Sequence, residues 1–318
     1  DLRKIADGSG RMIELAKGTA ELEAEVVREE VRTSNVGGVI RGRGALAEEW
    51  VVIGAHYDHV GYGDFGSMSN SRGVIHPGAD DNGSGTSGML LAAKKLSEYY
   101  AKLPEGASCR SILLMGFSGE ESGLEGSRYY TRNMIAAKEK HYLMLNMDMI
   151  GRLRDDPALE VSGLGTAPGL ADWLQPYWDK AGFPIKPLVK PSAFDGRSDH
   201  ASFHQAKIPA IFFFTGLHDD YHRPIDTADK INIEGAVKVV DLACRIAIDA
   251  STRKEPLVFG DGKKEEPKPE VKGSDDPPPS RSAMGGVRFG IAPGNYADET
   301  AGVLVGDVYK GTPAEKAG

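Results

Sequence analysis

The sequence predicts an α/β fold, and three observations carry that prediction. Short apolar runs at Trp50–Ala55, Ser111–Phe117 and His141–Ile150 show no alternation with polar residues, the pattern of strands buried on both faces. Segments with apolar residues every three or four positions alternate with these runs, so helices should cover both faces of the sheet. His56, Glu120-Glu121 and Asp148 each fall at or just after a predicted strand end, where sheets of this kind bind ligands.

Along the chain, residues 1–17 carry a helical pattern interrupted by Gly8-Ser9-Gly10, and Ala20–Arg32 alternates with period two, as a half-exposed strand does. Val36–Ile40 and Trp50–Ala55 read as strands, and Gly61–Gly78 as a long loop rich in Gly, Ser and Asn. Met89, Leu90, Ala93 and Leu96 place a helix over Ser84–Tyr100. A strand at Ser111–Phe117, a helix at Ser127–Ala137 and a strand at His141–Ile150 follow. Shorter strands are expected at Leu159–Ser162 and Ile208–Phe214, with helices at Leu170–Ala181 and Ile233–Asp249. Phe212-Phe213-Phe214 reads as buried strand rather than pocket wall.

With 318 residues, 40% of them apolar, the chain can bury a substantial core and reads as a soluble globular protein. A net charge of -8 and the lack of a basic amphipathic stretch speak against nucleic-acid and membrane partners. No apolar run has transmembrane length, and the Asp1-Leu2-Arg3-Lys4 start, without a signal-peptide core or initiator Met, reads as processed or excised. Cys109 and Cys244 lie far apart in no metal-binding spacing, so two buried thiols are expected, with a single disulfide as the alternative. Composition divides the chain at residue 253. Residues 1–252 form the main domain, with 1–45 read as partly the remnant of a preceding region. A linker rich in Pro, Lys, Glu and Asp spans 253–283, and 284–318 is a partial module too short for its own core.

The chemistry lies in five short stretches. Two divalent cations a few ångströms apart need imidazoles, carboxylates and one carboxylate shared between them. His56, Asp81, Glu121, Asp148 and His222 supply that set, with Glu120 left over as a base. In His56-Tyr57-Asp58, residues i and i+2 of an extended segment point the same way, so Asp58 can orient His56. Asp80 and Asp81 are equally plausible as the shared carboxylate on the residues alone. His59, His76, His200, His204 and His218 are assigned no ligand role, and Asp226 and Asp229 read as helix caps.

The ordered set resembles peptidase family M28, the co-catalytic zinc aminopeptidases. The resemblance rests on Gly54-Ala55-His56-Tyr57-Asp58, Pro77–Gly85 with Ala79-Asp80-Asp81-Asn82-Gly83, Phe117-Ser118-Gly119-Glu120-Glu121, Leu145–Gly151 with Asn146-Met147-Asp148, and Tyr221-His222-Arg223-Pro224. It implies a three-layer zinc-exopeptidase fold with a mostly parallel, mixed central sheet. It also implies two zinc ions per chain, one held by His56 and Asp148, the other by Glu121 and His222, with Asp81 rather than Asp80 bridging. Glu120 would be the general base, Tyr221 a hydrogen-bond donor to the oxyanion, and Arg197, in Gly196-Arg197-Ser198-Asp199-His200, a substrate contact. A cis peptide at Asp81-Asn82 is expected on the same ground.

The expected activity is removal of N-terminal residues from peptides. A dizinc carboxypeptidase or amidase, with Arg197 pairing a substrate carboxylate, and a non-catalytic peptide-binding adaptor are the alternatives. Single-zinc cyclase relatives are disfavoured because both ligand sets are present. The tail resembles the first part of a PDZ domain, through Gly302-Val303-Leu304-Val305 and Gly311–Gly318, so a peptide or protein partner of the complete module is implied. Family tendency implies a secreted, periplasmic or cell-envelope location.

Overall fold

Four apolar strands running the same way make the centre of the sheet, and their outgoing ends set where everything else must meet. The computed structural model describes residues 31–69, 73–154, 158–189, 196–260, 291–293 and 305–308. Strands β1 (Val36–Ile40), β2 (Trp50–His56), β3 (Ser111–Phe117), β4 (His141–Met147), β5 (Leu159–Ser162), β6 (Ile185–Pro187) and β7 (Ala210–Phe214) form one sheet in the order β1-β3-β2-β4-β7-β5-β6. Strands β3, β2, β4 and β7 are mutually parallel; β1 runs antiparallel to β3, and β5 antiparallel to β7. This is the α/β sheet that the apolar runs predict, in the mixed, mostly parallel order that the family resemblance implies.

The period of two along each strand divides the core into two layers. Val51, Ile53 and Ala55 of β2, Leu143 and Leu145 of β4 and Ile211 and Phe213 of β7 face helices α1 (Gly85–Ala101), α3 (Leu170–Asp179) and α5 (Ile233–Thr252). On the other side Trp50, Val52, Leu113, Met115, Phe117 and Met144 pack against α2 (Glu125–Arg132) and α4 (His200–Gln205). In α1, Met89, Ala92, Leu96 and Tyr100 recur at helical spacing and are buried, so one stripe docks on the sheet.

Element ends differ from the sequence reading for local reasons. Helix α2 stops at Arg132 rather than Ala137 because Asn133 leaves helical geometry and its side chain donates to the Tyr129 carbonyl at 2.9 Å. Strand β7 starts at Ala210 rather than Ile208, since Pro209 has no N–H for a ladder. Helix α5 is capped by Asn232, which accepts from the Gly235 N–H at 2.9 Å; neither Asp226 nor Asp229 caps it. Strand β6 and the six-residue α4 escaped the sequence reading, being too short for a period. Cys109 and Cys244 are buried free thiols.

Compact packing divides the chain into Glu30–Lys264 and a second unit made of Asp1–Glu29 with Glu265–Gly318. Residues 253–260, read from composition as the start of a linker, continue along the larger unit. Tyr142 donates to the Glu255 carbonyl at 2.9 Å, Arg253 sits 4.7 Å over the Trp173 ring and the Gly260 N–H reaches the Thr166 carbonyl at 3.0 Å. In the second unit the antiparallel strands β8 (Ile291–Pro293) and β9 (Val305–Val308) pair with each other. The helical and strand patterns before residue 31, the rest of the linker and most of the PDZ-like segment lie outside the described residues. No helix among the described residues is long and apolar enough to cross a membrane.

Leu145, fully buried at the middle of β4, tests how far the core supports these strand ends. Leu145→Ala should lower stability by about 2–5 kcal/mol, read from the denaturant midpoint at unchanged slope. Val39→Ala on exposed β1 should stay within about 0.5 kcal/mol.

Candidate metal centre

Because β2, β3, β4 and β7 are parallel, the segments leaving them converge at one edge. His56 is the last residue of β2, Glu120 and Glu121 follow β3, Asp148 follows β4, and Tyr221 and His222 lie on the segment after β7. Asp81 arrives from the turn Ala79–Ser84, in which Asp81 and Asn82 leave helical geometry across a cis peptide before the chain runs into α1.

The polar residues of that turn pin it to the segment leaving β4. Asn82 donates to the Met147 carbonyl at 3.1 Å and accepts from the Met149 N–H at 3.2 Å. Ser84 accepts from the Ile150 N–H at 2.9 Å, and Asp80 from the Gly151 N–H at 2.7 Å. These bonds draw the backbone out of the ladder at Met147, so β4 ends three residues earlier than its apolar run. A side chain at Gly85 would run into Asn82 and the Met147 carbonyl, so glycine allows this approach. Met149 and His222 both take φ of 53°, uncommon for residues other than glycine and found most where a site dictates the backbone.

Asp81, not Asp80, faces both histidines. Its Oδ1 lies 3.3 Å from His56 Nε2 and its Oδ2 3.1 Å from His222 Nε2. Asp148 Oδ2 is 3.4 Å from His56 Nε2, and Glu121 Oε2 is 3.0 Å from His222 Nε2. Each imidazole uses its other nitrogen on a backbone carbonyl: His56 Nδ1 meets Asp58 O at 3.1 Å, and His222 Nδ1 meets Gly66 O at 2.8 Å. That arrangement turns both Nε2 lone pairs toward the carboxylates. Asp80 turns away, with its Oδ2 3.1 Å from His218 Nε2.

The donor set fits divalent cations. His222 Nε2 and Asp148 Oδ1 are buried and make no directed hydrogen bond among the described residues. His59, Asp81, Glu121 and His222 each offer a donor atom within 4.8 Å of one another, and so do His56, Glu120 and Asp148. Donor separations of 3.0–3.4 Å match the edge of a zinc tetrahedron, about 3.3 Å for bonds near 2 Å.

Electrostatics point the same way. Burial pushes the Glu120 carboxyl up to about 10, with Asp148, Asp199 and Glu121 adding to the rise against the pull of His56. Burial also raises Asp148, and the Asp81 charge adds to it. Burial alone would lower His222, but Asp81 and Glu121 outweigh it and hold its imidazole at about 10. His56 is raised as well: burial works against it, and the Asp148 carboxylate outweighs burial. Carboxylates outnumber imidazoles here, and positive charge would settle the excess.

Tyr221 stacks on His222 with ring centroids 3.9 Å apart. It lines a small pocket with Asp81, Glu120, Asp148, Met149, Arg197, Phe212, Phe214 and Leu217. Arg197 lies over the Phe214 ring at 4.8 Å. Phe212 and Phe214 therefore serve as both strand and pocket wall, while Phe213 points to the opposite layer.

Asp58 does more than its spacing suggests. Its carboxylate pairs with His56 Nδ1 at 3.7 Å and also accepts from the N–H groups of Glu120 and Glu121, at 3.2 and 3.3 Å. Asp226, expected as a helix cap, is fully buried and accepts from the N–H groups of Asp80 and Asp81 at 2.8 and 3.2 Å. Its other oxygen takes Arg152 at 2.7 Å, and Arg152 also reaches Asp220 at 3.1 Å. The only sequence signal for Asp226 was its place four residues after His222.

The model of peptidase family M28 matches residues 35–247, most of the larger unit. The chain belongs to peptidase family M28. Among curated relatives of this M28 chain, leucine aminopeptidase 2 of Trichophyton rubrum is 27% identical over 274 residues, covering 76% of this chain and 50% of that protein. The probable leucine aminopeptidase 2 of Aspergillus oryzae is 30% identical over 224 residues, covering 67% and 40%. Among solved structures, a zinc aminopeptidase from Bacillus subtilis superposes with a TM-score of 0.55 at 26% identity, covering 72% of this chain and 53% of that one. The M28 chain spans about half the length of the curated relatives it matches.

Two outcomes follow from this geometry. Asp226→Ala strips Arg152 and two buried N–H groups of their partner and should lower stability by about 3–5 kcal/mol in denaturant titration. With His222 at about 10, its imidazole holds a proton at pH 7 that a cation must displace, and His56 is shifted in the same direction. Zinc affinity should therefore rise with pH from neutrality toward about 10. Calorimetry in buffers of different ionisation heat should register proton release at pH 7; its absence would contradict these directions.

Proposed function

We propose that this chain is the hydrolytic part of a zinc exopeptidase that removes N-terminal residues from peptides with two metal ions and a glutamate base. The observation that carries this reading is Asp81, whose two oxygens face two histidines from opposite ends of the chain, 3.3 and 3.1 Å away. His56, Asp148 and one Asp81 oxygen would hold one zinc, and His222, Glu121 and the other Asp81 oxygen the second. When bound, the ions would acidify the attacking water and polarise the scissile carbonyl.

The remaining steps belong to the chain's own side chains. Glu120, with Oε2 4.0 Å from His56 Nε2, accepts the proton of the attacking water on its carboxylate and returns it to the amine nitrogen that leaves. Burial, with Asp148, Asp199 and Glu121 adding to it, raises its proton affinity for holding that proton between the two transfers, and the positive charge of bound cations would leave it ionised for the first. The Tyr221 hydroxyl, kept protonated by burial and by Asp81 and Glu121, donates to the oxygen that gains charge. Met149, Phe212, Phe214 and Leu217 form an apolar wall for the side chain of the departing residue. The acidic surroundings suit a free α-amino group, and the names of the relatives agree with this polarity.

Arg197, a cation in the same pocket, favours the second reading, a carboxypeptidase or amidase that pairs it with a substrate carboxylate. Aminoacyl-p-nitroanilides assayed beside N-blocked dipeptides separate the two. Turnover confined to the blocked substrates would overturn the aminopeptidase reading. Glu120→Gln and Glu120→Ala should keep the fold and the metal content while losing about 10²–10⁴ in kcat. Undiminished turnover in either variant excludes Glu120 as the base.

A further inference from the structure

We propose that His59 is a positioning residue that commits Glu121 to bind its cation through a single oxygen. The inference rests on the two-cation reading above and concerns a histidine to which the sequence pattern gave no role. Glu121 has two oxygens, and the structure sends them to different partners. Oε2 faces His222 Nε2 at 3.0 Å, while Oε1 lies 2.9 Å from His59 Nδ1. A carboxylate oxygen is an acceptor, so His59 Nδ1 carries the hydrogen and donates it. The oxygen held by His59 is then directed away from the cation shared with His222.

His59 is itself held in place from several sides. Its ring stands edge-on to His222, centroids 5.4 Å apart at 85°. Gly78, with φ of 58°, passes so close that any side chain there would run into the His59 ring. Its Nε2 is buried with no hydrogen-bond partner among the described residues. A histidine kept only for packing would be replaced without loss by an apolar residue; here one nitrogen goes unpaired while the other is spent on Glu121. Asp58 fixes the Glu121 backbone N–H at 3.3 Å, so both ends of the ligand are set before a cation arrives.

The test compares wild type with His59→Leu and His59→Ala, which remove the donor, and His59→Asn, which keeps an N–H near the Nδ1 position. Zinc dissociation constants are measured by chelator competition, and visible spectra are recorded on the cobalt-substituted proteins. Thermal unfolding of the metal-stripped proteins identifies which variants keep the fold. Leu or Ala should weaken one of the two cations by about 10–100-fold, because Glu121 loses the donor that orients it, leave the other unchanged and alter the cobalt band as the freed oxygen becomes available. Asn should restore most of the affinity and the spectrum.

Wild-type affinity and spectrum in a folded Leu or Ala variant would overturn the proposal while leaving the two-cation reading intact. A folded Asn variant as impaired as Leu would also overturn it, and would make His59 a ligand or a packing residue. A wild-type protein that holds fewer than two cations would remove the two-cation reading and this inference with it.

Discussion

The site depends on one constraint: Asp81 must present its two oxygens to His56 and His222, which sit 166 positions apart in the chain, within about an ångström of donor distance. A lone aspartate on a flexible turn could not do this, because its rotamers and its backbone would both wander. The chain removes that freedom from behind. Asp226 takes the N–H groups of Asp80 and Asp81, and Arg152 ties Asp226 to Asp220. Asn82, Ser84 and Asp80 then fasten the same turn to the backbone that carries Asp148. Asp81, proposed as the bridge, and Asp148 thus belong to one fastened assembly.

That assembly explains why so much charge is tolerated in the interior. Arg152 is buried, and its position between Asp226 and Asp220 leaves it paired on both sides. Breaking such a pair exposes an uncompensated charge, which is why the network behind the site bears on stability as much as on chemistry. In front, carboxylates outnumber imidazoles among the described residues, and the cations of the proposed centre would supply positive charge. The two halves of the charge arrangement have different purposes on either side of the same turn.

Much of this was legible in the sequence. His56, Glu120, Glu121 and Asp148 announced themselves by standing at the ends of apolar runs, a local signal that parallel topology converts into proximity. Asp226, His59 and the bonds Asp58 makes to the Glu120 and Glu121 N–H groups were not legible. Their partners lie 146, 62 and 62 positions away, and no period or spacing encodes such contacts. Phe212 and Phe214 were half legible: a run of three phenylalanines reads as strand, but only the sheet shows that alternate members face the pocket while Phe213 faces the core. The end of β4 failed for a similar reason, since Asn82 pulls Met149 out of a run whose composition would have continued the strand.

The adjacent glutamates show how geometry divides identical chemistry. Burial would raise both carboxyls, yet Glu121 ends lowered because His222 and His59 each contact one of its oxygens. Glu120 ends raised, since burial is joined by Asp148, Asp199 and Glu121 and opposed by His56, 4.0 Å away. One residue of the pair is held ionised, as its proposed role of ligand requires, and the other keeps a high affinity for protons, which bears on its proposed role as base. Both glutamates leave the same turn after β3, where Asp58 accepts from both of their N–H groups, so their difference lies in what surrounds each side chain.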